Sequence, residues 1–194
     1  MKDLEVACIL DRWYNLSLES TLQEIGFEHV DIKFISPVGK TNDIALGSLP
    51  PADHEWAAQH VSVWRACASG DTPMLVFQED VLFLPGCSNV LSATKALVAA
   101  VKAQTTGDDA QILLLGGTAS GNETPSQVVT EGALVSARAV SQAAAYVLWP
   151  RAARMLLQSL PIDVPMPAFV SKHVADSGMM AFLATPALIE AAPG

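Results

Sequence analysis

The chain has 194 residues, of which 51% are hydrophobic and 16% charged, so a disordered protein is excluded and one globular domain over residues 1–194 is expected. The 11 basic and 20 acidic residues give a net charge of -9, which argues against nucleic acid or an anionic membrane as the main partner. No apolar run of about 18 residues and no export signal is seen, which predicts a cytoplasmic protein without a transmembrane segment. The 3 cysteines are far apart and predict neither a disulfide framework nor a zinc site.

Hydrophobic patterning predicts a strand–helix–strand unit at the start of the chain. Residues 4–10 form a short apolar run, typical of a buried strand. Residues 15–25 have helical spacing, with Gly26 as the expected stop, and residues 29–35 alternate with the period of a strand. A parallel α/β sheet begins in this way.

The next segments continue the alternation of strands and helices. Residues 36–51 are predicted to form a loop, and a helix is predicted over residues 52–68, with Asp53 as its cap or first-turn acid. Residues 74–77 are uninterrupted apolar residues, which predicts a buried central strand. A helix over residues 88–103 follows, capped by Ser88 or Asn89.

The second half of the chain shows the same pattern with one exception. The stretch 118–131 is rich in Gly, Ser, Thr and Pro, which predicts a loop that is mobile without ligand and closes over it. The remaining predicted elements are strands at 111–115, 133–137, 143–148 and 180–184 and helices at 150–160 and 168–175. The expected class is α/β, with a mainly parallel twisted sheet and helices on both faces.

Two adjacent acids, Glu79 and Asp80, follow the predicted central strand directly. Ligands bind beyond the carboxyl ends of strands in open α/β sheets, and two carboxylates there can hold a divalent cation that in turn binds a diphosphate. The alternative is that both are ordinary polar loop residues, with Asp80 capping a turn.

Three further residues are candidates for a site. His60 and Trp64 are four residues apart, which puts both rings on one helix face, where they could line a ligand. The alternative is a half-buried histidine beside a core tryptophan. Gly116 follows a predicted strand and could let the backbone approach a phosphate or a sugar, although Gly-Gly is also an ordinary turn.

The order of these segments resembles glycosyltransferase family 25, the lipopolysaccharide and collagen galactosyltransferase group. The resemblance covers nearly the whole chain, and it depends on the series of motifs rather than on any one of them. The matching segments are 9–12, 22–26, 59–64, 75–81, 115–116, 145–156 and 161–165.

The resemblance implies a GT-A nucleotide-diphosphate-sugar fold, a UDP-sugar donor, Mn²⁺ (or Mg²⁺), and a glycan or other hydroxyl acceptor. It implies that Glu79 and Asp80 bind the metal. In addition, the cofactor-binding residues implied near the donor are Asp11, Arg12, Trp64 and Gly116.

The resemblance leaves two candidates for the general base, Asp163 and His60. The chain also departs from the family pattern, since Gln78 stands where the family has an acid and Ala144 where it has a histidine. The second hypothesis is therefore a degenerate transferase fold that binds a nucleotide sugar or a partner without turnover.

Overall fold

The computed structural model describes residues 4–9, 22–27, 32–35, 47–78, 81–84, 89–105, 109, 111–116, 119–129, 132–140 and 144–191. The strands are β1 (Glu5–Ile9), β2 (Ile32–Ile35), β3 (Met74–Gln78), β4 (Val81–Phe83), β5 (Gln111–Gly116), β6 (Ala119–Val129), β7 (Gly132–Val140), β8 (Ala145–Leu148), β9 (Met180–Thr185) and β10 (Ile189–Ala191). The α-helices are α1 (Pro51–Ala68), α2 (Val90–Gln104), α3 (Pro150–Gln158) and α4 (Met166–Asp176), and a π-helical turn spans Gln23–Phe27.

The main sheet has the strand order β2-β1-β3-β8-β5-β9-β7-β6, and β4 and β10 form a separate two-stranded ribbon. β1 is parallel to β2 and β3, and β5 is parallel to β9. β8 is antiparallel to β3 and β5, while β7 is antiparallel to β6 and β9. Among the described strands of this sheet only β7 and β8 therefore run against the others, and the expected mainly parallel α/β class is confirmed.

Helices cover both faces of the sheet because successive strand residues point to opposite sides. On β3, Val76 packs into the core under α1, α3 and α4. Its neighbours Leu75 and Phe77 pack into the core under α2. Uninterrupted apolar runs such as 74–77 are what a strand buried on both faces needs, and β3 is an interior strand as predicted.

The helix termini follow from local sequence. Pro51 occupies the first turn of α1, where its missing N–H costs no intrahelical hydrogen bond. The Asn89 Oδ1 accepts a hydrogen bond of 2.7 Å from the Ser92 N–H, so Asn89 caps α2, one of the two residues predicted to do so. Gly26, the predicted stop of the first helix, has φ of 103°.

The predicted loop over residues 118–131 is wrong. Residues 119–129 form β6, which pairs antiparallel with β7 at the edge of the sheet. The register shifts around Pro125, which is where an edge strand tolerates a residue without an N–H. Composition misled the prediction because main-chain pairing with β7 does not require large apolar side chains. The lid function proposed for this segment loses its basis.

Most of the other predicted elements are present, with ends shifted by a few residues. Most of the predicted helix over residues 15–25 lies outside the described residues. β4 and β10, at three residues each, were not predicted. Within the described part of the chain, none of the helices combines the length and apolar character needed to cross a membrane.

Candidate functional site

Three neighbouring strands of the main sheet, β2, β1 and β3, end at the same level. Ile9, the last residue of β1, is the register partner of Gln78 at the end of β3 and of Ile35 at the end of β2. Because these strands are parallel, their carboxyl ends open at one edge of the sheet, the usual position for ligands in α/β proteins. We call this the carboxyl edge. Asp11, Arg12, Glu79 and Asp80, all predicted site residues, lie outside the described residues, but the first two follow β1 closely and the last two join β3 to β4.

The β4–β10 ribbon lies beside this edge. β4 begins two residues after β3, and Val81 in β4 pairs with Ala191 in β10. The segment before β10 is held by the end of β5, since the Leu188 N–H donates to the Leu115 carbonyl at 2.8 Å. The Leu84 N–H in turn donates to the Leu188 carbonyl at 3.2 Å.

Gly116 is the last residue of β5 and contacts the ribbon. A Cβ at this position would lie 1.8 Å from the carbonyl oxygen of Ile189. The close approach of this backbone accounts for glycine at residue 116 without any ligand. Its predicted role in binding a nucleotide sugar stays a prediction.

Asp163 lies in the link between α3 and α4 and its side chain is exposed. Its main chain contacts the turn before α1, since the Ser48 hydroxyl donates to the Asp163 carbonyl at 3.4 Å. α1 connects β2 to β3, two strands that point the same way, so the helix must begin at the carboxyl edge. Asp163 therefore lies near the edge where Ile9 and Gln78 end.

His60 is completely buried on the inner face of α1. Its Nδ1 lies 2.8 Å from the hydroxyl of Tyr146 in β8, and its ring is 4.6 Å from that of Trp56. Burial lowers the pKa of His60 to about 3, because an apolar surrounding disfavours the imidazolium form. Its Nε2 has no hydrogen-bond partner among the described residues. A general base needs contact with its substrate, so this geometry favours a structural role for His60 and leaves its predicted catalytic role without support.

Trp64 is also part of the core. It is 1% exposed, stacks on Phe169 at 5.9 Å between ring centroids, and its indole N–H donates to the Tyr146 hydroxyl. The hydrogen bonds therefore connect Trp64, Tyr146 and His60 in one buried chain. This core packing accounts for a tryptophan at position 64 without any bound nucleotide sugar. The predicted place of Trp64 in the sugar-donor site stays a prediction.

Tyr146 is the residue of this cluster that the sequence reasoning missed. The alternation of β8 was the available signal, because it puts Tyr146 and Leu148 on the face that α1 covers. No group of three or more His, Cys, Asp or Glu side chains suited to a metal ion occurs within the described ranges.

Comparison with known proteins found similarity to solved structures. No family model matches the chain, and no curated protein matches it. The chain is similar to UDP-glucose pyrophosphorylase from Acinetobacter baumanii, with 12% sequence identity and a TM-score of 0.48, over 92% of this chain and 68% of that one.

Proposed function

We propose that this chain is a metal-assisted glycosyltransferase of the family 25 type, which moves a sugar from a UDP-sugar to a hydroxyl acceptor. One observation carries the proposal: Ile9 and Gln78 are register partners at the ends of neighbouring parallel strands. The segments that continue from them carry Asp11 and Arg12 on one side and Glu79 and Asp80 on the other. The order of the family motifs supplies the rest of the support.

The chemistry of the donor set fits a hard divalent cation. Glu79 and Asp80 would hold it with carboxylate oxygens, and Gln78 offers only a neutral amide oxygen, a weaker ligand. A bound Mn²⁺ or Mg²⁺ would supply charge that stabilises the departing diphosphate. The acceptor hydroxyl would lose its proton to a carboxylate as its oxygen bonds to the sugar and the bond from the sugar to UDP breaks.

Asp163 is the better supported of the two candidate bases. Its side chain is exposed near the carboxyl edge, whereas His60 is buried and has a lowered pKa. We expect Asp163→Asn to lower kcat on the order of a hundredfold or more, since general base catalysis is worth about that much. UDP affinity should remain as in the parent, because this carboxylate would not bind the nucleotide. A kcat equal to that of the parent would remove Asp163 from the mechanism.

The metal site is tested by calorimetry of UDP binding in the presence of Mn²⁺. We expect Asp80→Asn to cost on the order of 2 kcal/mol, roughly a thirtyfold loss of affinity, because a charged ligand is replaced by a neutral one. Gln78→Ala, two positions earlier in the chain, is the control and should lose less. Thermal melting of both variants checks that they fold. If Asp80→Asn binds UDP with Mn²⁺ as tightly as the parent does, the metal site is refuted.

The second candidate is a protein that binds a nucleotide sugar without turnover. The burial of His60 and the buried Ala144, which stands where the family has a histidine, favour it. Hydrolysis of UDP-sugars, measured alongside UDP binding, separates the two functions. Binding without hydrolysis or transfer would favour the second.

A further inference from the structure

We propose that Gly116 is a positioning residue, which sets the geometry of the metal and donor site through β10 and β4 without touching the ligand. The inference rests on the proposed function and deepens it. It gives the β4–β10 ribbon a role. Gly116 would support the ribbon through its backbone and would not contact a phosphate itself.

β5 and β10 contact each other at Gly116. The Cβ of an alanine at position 116 would be 1.8 Å from the Ile189 carbonyl oxygen and 2.6 Å from the Ile189 carbonyl carbon. Ordinary van der Waals contact begins near 3.4 Å, so one of the two main chains must move by more than an ångström. The obstructing atoms are backbone, so a change of rotamer does not relieve the overlap.

β10 is held by fewer strands than β5 and is the one of the two that should move. β5 is an interior strand, paired with β8 on one side and with β9 on the other. β10 pairs only with β4 among the described strands, and one described hydrogen bond, from the Leu188 N–H to the Leu115 carbonyl, attaches the residue before β10 to the end of β5. Displacing β5 would disturb the pairing with both of its neighbours, so the added methyl group should displace β10.

β10 is connected through β4 to the two acids Glu79 and Asp80. Ile189, Glu190 and Ala191 pair with Phe83, Leu82 and Val81, so a shift of β10 carries β4 with it. β4 is joined to β3 by a link of only two residues, Glu79 and Asp80.

The other end of that link is fixed. Gln78 pairs with Ile9, and its N–H donates to the Ala144 carbonyl at 3.1 Å. A movement of β4 therefore changes the distance that the two-residue link must span. Groups that bind a ligand must be held within about 0.5 Å of the productive geometry, so a shift of about 1 Å should weaken binding.

The test is calorimetry of UDP binding with Mn²⁺ on the full chain. We expect Gly116→Ala to bind at least tenfold more weakly than the parent. Leu156→Ala is the matched control: it removes a fully buried side chain of α3 from the core on the opposite face of the sheet and so lowers Tm without touching the ribbon. It should bind UDP as the parent does.

Three results would overturn the inference. Binding by Gly116→Ala within twofold of the parent removes the positioning role while leaving the proposed function intact. An equal loss in Leu156→Ala shows that general destabilisation explains the effect. A parent chain that binds no UDP with Mn²⁺ refutes the proposed function itself, and the inference with it.

A second pair of variants decides the matter if Gly116→Ala fails to fold. Leu84→Pro removes the N–H that donates to the Leu188 carbonyl, and Leu84→Ala removes only the side chain. Weaker UDP binding in Leu84→Pro than in Leu84→Ala supports control of the site through the ribbon. Equal binding by both variants refutes it.

Discussion

His60 should make the stability of the protein depend on pH in a way that one substitution removes. Burial lowers the pKa of His60 to about 3 in the native state, whereas the unfolded chain has the ordinary value of about 6.5. Below the ordinary value the unfolded state therefore takes up a proton that the native state does not. Stability falls as the pH falls from about 6.5 toward 3, by up to about 1.4 kcal/mol for each pH unit.

The size of the effect follows from the two pKa values. Between pH 7.5 and pH 4.5, the His60 contribution to the free energy of unfolding should fall by about 2.7 kcal/mol. His60→Asn abolishes this contribution, because an amide does not titrate, and it keeps an oxygen near the Nδ1 position for the Tyr146 hydroxyl. Urea unfolding of parent and variant at pH 4.5, 5.5, 6.5 and 7.5 measures the difference between their slopes.

Tyr146→Phe is the control that tests whether burial or the Tyr146 hydroxyl causes the lowered pKa of His60. It removes the hydroxyl that lies 2.8 Å from Nδ1 but leaves His60 buried, so it should lower stability by about 1–3 kcal/mol at every pH. The pH dependence of its stability should match that of the parent, because burial of the ring, and not the contact with the Tyr146 hydroxyl, lowers the pKa of His60. Parallel curves for the parent and His60→Asn would refute the reasoning and show that the imidazole is accessible to protons in the native state.

Two further predictions concern single residues. Asn89→Ala should lower the free energy of unfolding by about 1 kcal/mol in urea titrations, because the Ser92 N–H loses its partner at the start of α2, while Asn89→Asp, which keeps a capping oxygen, should lose much less. Cys67 is 1% exposed and burial raises the pKa of its thiol to about 12, so it should resist a thiol reagent at pH 8 in the native protein and react once the protein is unfolded. Labelling of native Cys67 at the rate seen in urea would contradict that burial.

Part of the framework of the candidate site could be placed from the sequence. The apolar run 74–77 predicted the interior strand that is seen, whereas a ligand site at the acids that follow it stays a prediction. The spacing of His60 and Trp64 put both on one helix face, and both do lie there, as part of one hydrogen-bonded chain. The sequence left open whether that face met a ligand or the core, because helical spacing is the same in both cases.

The sequence by itself determined the α/β class, the interior position of β3 and the cap of α2, because these depend on local patterning and on nearby hydrogen-bond partners. Only the tertiary structure decided the antiparallel direction of β8, the strand β6 and the ribbon of β4 and β10. The direction of β8 and the pairing of β4 with β10 depend on residues far apart in the chain. The segments of β6, β4 and β10 are too polar or too short to show a strand pattern. The need for glycine at position 116 is of the same kind, because the atom that excludes a side chain there belongs to Ile189, far along the sequence.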